Sequence, residues 1–225
     1  MLYLIKFYFI MTISEENYLK VIYHLSLVSP KGVNTNAIAG MLDTKASSVT
    51  DMLKKLAEKD VVTYKKYQGV SLTNNGLLQA KKIVRRHRLW EVFLVEKLQF
   101  TWDEVHEIAE ELEHIKSEKL INSLDAYLDF PAFDPHGDPI PNEKGEIKKQ
   151  EKQLLSEMPT GVVCKCVGVK DSSADFLQYL DKQKITLGSE IKILEKETFD
   201  ELIKVEVDGK EVILSNKIAV NLYVQ

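Results

Sequence analysis

The chain has 225 residues, 44% of them hydrophobic and 28% charged, enough for one large or two to three small soluble domains. Its two cysteines, Cys164 and Cys166, cannot form a disulfide framework, which points to a reducing, cytoplasmic setting. The net charge of −4 excludes a uniformly basic nucleic-acid binder, but it averages two opposite blocks. Residues 44–88 carry eleven Lys/Arg against Asp51, Glu58 and Asp60, a net of +8, and residues 89–158 carry seven Lys against seventeen Asp/Glu, a net of −10. A basic block before an acidic one suggests a polyanion-facing part joined to a cation-facing part. Two solvated faces of opposite sign are the plainer alternative.

Residues 1–10 are strongly apolar, yet too short to span a bilayer and without a secretory cleavage site. They read as an N-terminal extension with no membrane role. A helix is expected over about residues 14–29, with Ser14 as its cap and Tyr18, Leu19, Ile22, Leu25 and Val28 as its apolar stripe. After Pro30-Lys31-Gly32, a short helix through Ile38 and Met41 is followed by a third over residues 46–59, with Val49, Leu53 and Leu56 facing inward. Two helices joined by a tight turn, with small polar residues opening the second, form a helix-turn-helix pattern.

Residues 61–73 then read as two short strands around Tyr67-Gln68-Gly69, the wing of a winged helix. The expected DNA-contacting set is Lys45, Ser47, Ser48, Thr50, Asp51 and Lys54 on the recognition helix, with Lys65 and Lys66 of the wing on phosphates.

A long helix follows over about residues 77–98, then an acidic helix opening at Trp102 and running through His114, and another over residues 117–128. His87 and Glu91 lie one turn apart. Residues 106, 110, 113 and 114, all His or Glu, share one face if the acidic helix continues that far. Imidazoles and carboxylates converging on one face suit a divalent transition metal; a solvated acidic face is the bland reading. The apolar excess at Leu89, Trp90, Phe93, Leu94 and Leu98 suggests a homodimer interface.

Residues 143–158 read as a charged linker. Beyond Pro159, short β-rich runs separated by turns, with one helix over about residues 173–180, indicate a small SH3-like β-barrel. Cys164-Lys-Cys166 lies on one of its strands and reads as packing; His24 and, in the proline-rich turn, His136 read as structural.

The expected fold is therefore mainly α with β. It comprises a winged helix-turn-helix domain (11–74), a helical metal-binding and dimerisation domain (75–142), and a C-terminal SH3-like, FeoA-like barrel (159–225).

In this order the chain resembles the diphtheria-toxin-repressor family of metal-dependent transcriptional regulators, including its manganese-responsive branch. The resemblance rests on Glu16-Asn17-Tyr18-Leu19, Ser47-Ser48-Val49-Thr50, Leu72-Thr73-Asn74-Asn75-Gly76, Arg86-His87-Arg88-Leu89-Trp90-Glu91, His106, Glu110 and Glu113-His114, and Pro135-His136-Gly137-Asp138-Pro139-Ile140-Pro141. It implies a repressor of metal-ion homeostasis that binds palindromic double-stranded operator DNA as a homodimer. Activation would be by Mn(II) or Fe(II), two ions per subunit. One site would use Asn17, Glu110, Glu113 and His114; the other would use His87, Glu91 and His106, with Asp175 from the barrel.

Three positions depart from the family's branches. Glu110 replaces the cysteine of the iron-responsive branch and leans towards manganese. Asn17 and Lys20 stand where the manganese-responsive branch has carboxylates. In the barrel, Ser172 also stands where a carboxylate is usual. A winged-helix regulator of a small organic ligand, or a metal-dependent hydrolase or oxidase, are the rival classes. The second would need an acid/base group and an open coordination position, and no nucleophile motif or phosphate loop is present.

Overall fold

The computed structural model describes residues 11–29, 32–65 and 68–225. The apolar segment 1–10 and the wing residue Lys66 lie outside these residues. Two compact units emerge: the chain up to Arg86 with Glu113–Lys116 and Pro141–Glu146, and a second built from His87–Leu112, Ser117–Ile140 and Ile147–Gln225.

In the first unit, α1 (Ile13–Val28) begins one residue before the expected cap, because Thr12 and Glu15 form a capping box. The Thr12 hydroxyl accepts from the Glu15 amide at 3.3 Å, and the Glu15 carboxylate accepts from the Thr12 amide at 2.8 Å. Two otherwise orphaned donors are thereby satisfied. Tyr18, Leu19, Val21, Ile22 and Tyr23 are buried. Asn34 caps α2 (Thr35–Met41) by accepting from the Asn36 amide at 2.7 Å. Helix α3 (Ala46–Glu58) buries Val49, Leu53 and Leu56, the i, i+4, i+7 stripe that anchors one face and leaves the other in water.

Strands β1 (Val62–Lys65) and β2 (Gly69–Leu72) pair antiparallel, Val62 opposite Leu72, and Val33 bridges Val70. Helix α1 packs on α2 and β2, and α3 packs on α2 and β1: this is a winged helix. Helix α4 (Asn74–Leu98) starts where the Thr73 hydroxyl accepts from the Gly76 amide at 3.0 Å. A Cβ at Gly76 would lie 1.7 Å from the Val61 carbonyl oxygen, so the wing can meet the start of α4 only at a glycine.

In the second unit, α5 (Val105–Leu112) and α6 (Glu118–Tyr127) follow α4. Leu89, Val92, Ile121, Leu124, Leu128 and Ile140 form one apolar cluster. The acidic helix ends at Leu112, earlier than its spacing suggests, so Glu113 and His114 occupy the turn that follows it. The cause is tertiary: in the first unit the Arg86 guanidinium donates to the Glu113 carbonyl, giving that carbonyl a partner outside a helix.

The remaining strands form a six-stranded antiparallel sheet in the order β3-β8-β4-β5-β6-β7. They are β3 (Gln153–Leu154), β4 (Val163–Val169), β5 (Glu190–Lys196), β6 (Ile203–Val207), β7 (Lys210–Leu214) and β8 (Leu222–Val224), with α7 (Ala174–Gln183) and α8 (Asn216–Ala219) between them. Leu155, Cys164, Cys166, Leu177, Leu180, Ile191, Val205 and Leu222 share one core, so both cysteines pack as expected from their strand. Gln153–Leu154 pairs with β8 and Leu155 is fully buried; the barrel thus starts inside the stretch read as a linker. Strand β8 was not anticipated, because three residues are too few to show a period.

The proline-rich turn is stitched to β4. The His136 carbonyl accepts from the Val169 amide at 2.9 Å, and Gly137 (φ +81°) would place a Cβ 2.1 Å from the Val167 carbonyl oxygen. Among the described residues, no helix is long and apolar enough to cross a membrane. Overpacking costs of at least about 1–3 kcal/mol are expected for Gly76→Ala; urea unfolding followed by circular dichroism measures the loss, and an unchanged midpoint would show that the wing does not close on α4 there.

Candidate metal centres and nucleic-acid interface

The first cluster lies wholly within the first unit. Glu113 is buried, and Lys20 of α1 closes on it, with its Nζ 2.8 Å from Oε1 and 2.9 Å from Oε2. His114 Nδ1 lies 2.7 Å from Glu16 Oε2, and His114 Nε2 lies 3.8 Å from Glu113 Oε1. Glu16 also meets Arg86 Nη2 at 3.3 Å and Lys116 Nζ at 3.4 Å.

With Nδ1 donating to Glu16, the imidazole turns Nε2 towards Glu113, the arrangement in which a carboxylate orients a ligating histidine. Next along α1, Asn17 Oδ1 is buried with no hydrogen-bond partner among the described residues. A buried acceptor of this kind is costly unless something donates or coordinates to it. An amide oxygen, a carboxylate and an imidazole suit a hard-to-borderline divalent ion.

Of the four residues expected at this site, the first unit contains Asn17, Glu113 and His114. Glu110 belongs to the second unit, half-exposed, with Oε1 3.6 Å from His106 Nε2. Sequence reasoning missed Glu16. Its only signal was adjacency to Asn17, and an acidic pair in a first helical turn reads as a favourable dipole interaction, which is the role Glu15 fills.

The second cluster lies wholly within the second unit and centres on buried Glu91. His87 Nε2 is 3.0 Å from Glu91 Oε1 and 3.2 Å from His106 Nδ1, which is itself 3.4 Å from Glu91. His136 Nδ1 approaches Glu91 at 3.7 Å, while its Nε2 lies 2.8 Å from the Trp102 carbonyl oxygen. Asp134 Oδ1 accepts from the amides of His136 and Asp138 at 2.9 Å each, and Arg88 Nε stands 3.2 Å from Asp134 Oδ2.

Two sets of three potential ligands result, His87/Glu91/His106 and Glu91/Asp134/His136, each with donor atoms within 4.8 Å of one another. They share Glu91. Asp175, on α7, is exposed and belongs to neither set. The second set was hidden because Asp134 and His136 sit in an irregular turn with no periodicity to align them.

Burial would raise the Glu91 carboxyl, but hydrogen bonds with His106, His136 and His87 hold it well below the usual range. Burial and repulsion from Glu91 push Asp134 up to about 7 despite Arg88. For His136, burial would lower the imidazole, yet the hydrogen bond and charge of Glu91, with Asp134 and the Trp102 carbonyl, raise it to about 9.

On the nucleic-acid side, Lys45, Ser47, Ser48, Asp51, Lys54 and Lys65 are exposed and Thr50 is half-buried. The Thr50 hydroxyl donates to the Ala46 carbonyl at 3.0 Å, and Lys54 pairs with Asp51 at 3.0 Å. An open groove of about 760 Å³ is lined by Asn34 and Thr35 of α2, Thr50 and Lys54 of α3, and Tyr64, Gln68 and Gly69 of the wing. A second, of about 590 Å³, is lined by Asp43, Thr44, Lys45 and Ser48. The groove adds Asn34, Thr35, Tyr64 and Gln68 to the residues placed for contact; they come from α2 and the wing, and only the tertiary fold gathers them beside α3.

A winged helix whose first helix carries Glu16, in contact with His114, and the buried Asn17 oxygen, followed by a helical unit holding a cluster of imidazoles and carboxylates, defines a DNA-binding regulator class. Family models agree with it. The iron dependent repressor N-terminal DNA-binding domain matches residues 11–70, the iron dependent repressor metal-binding and dimerisation domain matches 73–142, and the FeoA domain matches 153–225. The chain belongs to the iron-dependent repressor (diphtheria-toxin-repressor) family, a family of transcriptional repressors rather than enzymes.

It is 33% identical over 147 residues to the HTH-type transcriptional regulator MntR of Oceanobacillus iheyensis, covering 65% of this chain and 96% of that protein. A probable metal transport system membrane protein of Chlamydia trachomatis is 45% identical over 86 residues, which are 38% of this chain and only 19% of that protein. Among solved structures, a manganese-dependent transcriptional repressor in complex with manganese is 34% identical, with a TM-score of 0.80, over 93% of this chain and 98% of that one.

A histidine raised from 6.5 to about 9 on folding contributes stability that is full below about pH 6.5 and is lost as the pH rises through about 9. Metal-free protein should therefore lose melting temperature across that window. His136→Gln should flatten the slope, and an unaltered slope in the variant would reject the His136–Glu91 pair.

Proposed function

We propose that this chain is a metal-activated transcriptional repressor that controls metal-ion homeostasis in the cytoplasm, acting as a homodimer on a palindromic operator. One observation carries the reading: the His114 imidazole, close to Glu113, is held by Glu16 of α1, the first helix of the DNA-binding module, and the next residue of that helix, Asn17, has a buried oxygen without a hydrogen-bond partner among the described residues. A divalent ion bound there would supply the positive charge that lets a carboxylate, an imidazole and an amide oxygen converge.

The residues' own parts follow from their geometry. Glu113 and Asn17 offer oxygen, His114 offers Nε2, and Glu16 accepts from Nδ1, which leaves the Nε2 lone pair turned towards Glu113. Ligation by these residues would hold α1 against the turn at Glu113–His114. A bound ion would favour DNA binding only to the extent that it bound the DNA-competent state more tightly. Oxygen-rich donor sets suit Mn(II) or Fe(II) better than thiolate-seeking metals. The cluster around Glu91 is the candidate for a second ion per subunit, through His87 and His106 or through Asp134 and His136.

The recognition helix α3 presents Lys45, Ser47 and Ser48 to a major groove, and Lys65 of the wing faces phosphate. A pair of half-sites, one for each subunit, suits a dimer.

Gel shifts with the chain's own promoter test the reading. Retardation should appear with Mn(II) or Fe(II) and vanish with EDTA, and Glu113→Ala combined with His114→Ala should abolish the metal dependence. Binding indifferent to metal and chelator, or a double variant that still responds, would sink it. On the DNA side, Lys65→Ala should weaken binding to all sequences alike and lower the slope of log K against log salt by about one.

A further inference from the structure

The first cluster is not a bare acidic nest. Its named contacts bring three permanent cations, Lys20, Arg86 and Lys116, to two carboxylates, Glu16 and Glu113. Lys20 is the one that matters for ligation. Its ammonium lies within 2.9 Å of both oxygens of Glu113, a side chain with 0% of its surface in water. Those are the same two oxygens a metal would need.

A dication ligated by Glu113 and an ammonium on the same carboxylate would stand only a few ångströms apart in a poorly screened setting, where their repulsion is strong. Both cannot stay. The lysine head is the mobile one: it sits on four flexible carbons and its side chain is 11% exposed, so it can swing to water with its proton in place.

We propose that Lys20 is an internal competitor for the metal, a built-in counter-cation that holds Glu113 in the metal-free protein and must withdraw before Glu113 can ligate. The inference rests on the metal reading above. Two consequences separate it from a lysine that merely fills space. Lys20 stabilises the metal-free state, because without it a buried carboxylate has lost a cation in direct contact with both its oxygens. It also weakens metal binding by the free energy of the pair that must be broken, so the residue sets the metal concentration at which the chain responds. A neutral residue at position 20 trades one property for the other.

The test uses the full chain stripped of metal, with Mn(II) alone as the probe. Calorimetric titration measures affinity and thermal melting in EDTA measures the metal-free state. Lys20→Met should melt lower than wild type in EDTA and bind Mn(II) about tenfold more tightly or better, given that close charge pairs carry energies of that order. Lys20→Arg, which keeps the charge, should bind no more tightly than wild type. Lys20→Gln, whose amide can still donate to Glu113, takes the place of the methionine variant if that one does not fold.

The control is His114→Ala. If it leaves Mn(II) binding untouched, the metal reading of this cluster fails and the Lys20 inference with it. If it removes an equivalent of Mn(II) but neutral residues at position 20 leave the affinity of that equivalent unchanged or weaker, only the Lys20 inference is overturned.

Discussion

A carboxylate taken out of water must be met by cations or hydrogen-bond donors, and Glu113 and Glu91, the most deeply buried carboxylates among the described residues, impose that demand on this chain. Glu113 satisfies it with Lys20 in the first unit, and Glu91 satisfies it with His87, His106 and His136 in the second. Breaking such a buried pair from one side costs about 3–5 kcal/mol, which is a large share of a typical domain's stability. The positions of α1, of the turn after α5 and of the proline-rich turn within their own units are tied to these contacts. The groups that could hold metal are also structural members of each unit.

The two clusters meet the same demand with different cations. Around Glu91 the partners are mostly imidazoles, whose ring nitrogens can serve as hydrogen-bond donors or, when unprotonated, as metal ligands. Around Glu16 and Glu113 the partners include lysine and arginine, which stay charged and cannot ligate while they do. The first cluster therefore has a cationic occupant of its own, whereas the second is assembled largely from potential ligands. That contrast lies in the side chains each cluster gathers: Lys20 from α1, Arg86 from α4 and Lys116 from the turn that carries Glu113 and His114, against His87, His106 and His136 around Glu91.

The DNA-reading face follows a different rule. Val49, Leu53 and Leu56 hold α3 on the core from one side, so its other side can remain small and polar. Gly69 and Gly76 allow backbone to approach backbone where no side chain would fit, at Val33 and Val61 respectively. The groove lined by α2, α3 and the wing depends on these contacts as much as on the residues that line it.

Much of this was legible in the sequence. The 3.6-residue stripes of α1, α3 and α4, the paired short strands of the wing and the alternating strands of the barrel are local patterns, set by which side of an element must leave water. The register of His87 with Glu91 is equally local. What the sequence could not determine was which distant groups would share a site. His114 meets Glu16 across 98 residues and Lys20 meets Glu113 across 93. The early end of α5, the entry of Leu155 into the barrel core and the arrival of Asp134 and His136 beside Glu91 arise in the same way. Periodicity says which face turns inward; only the packed chain decides what that face meets, because the cost of an unpaired buried charge is settled between elements and not within them.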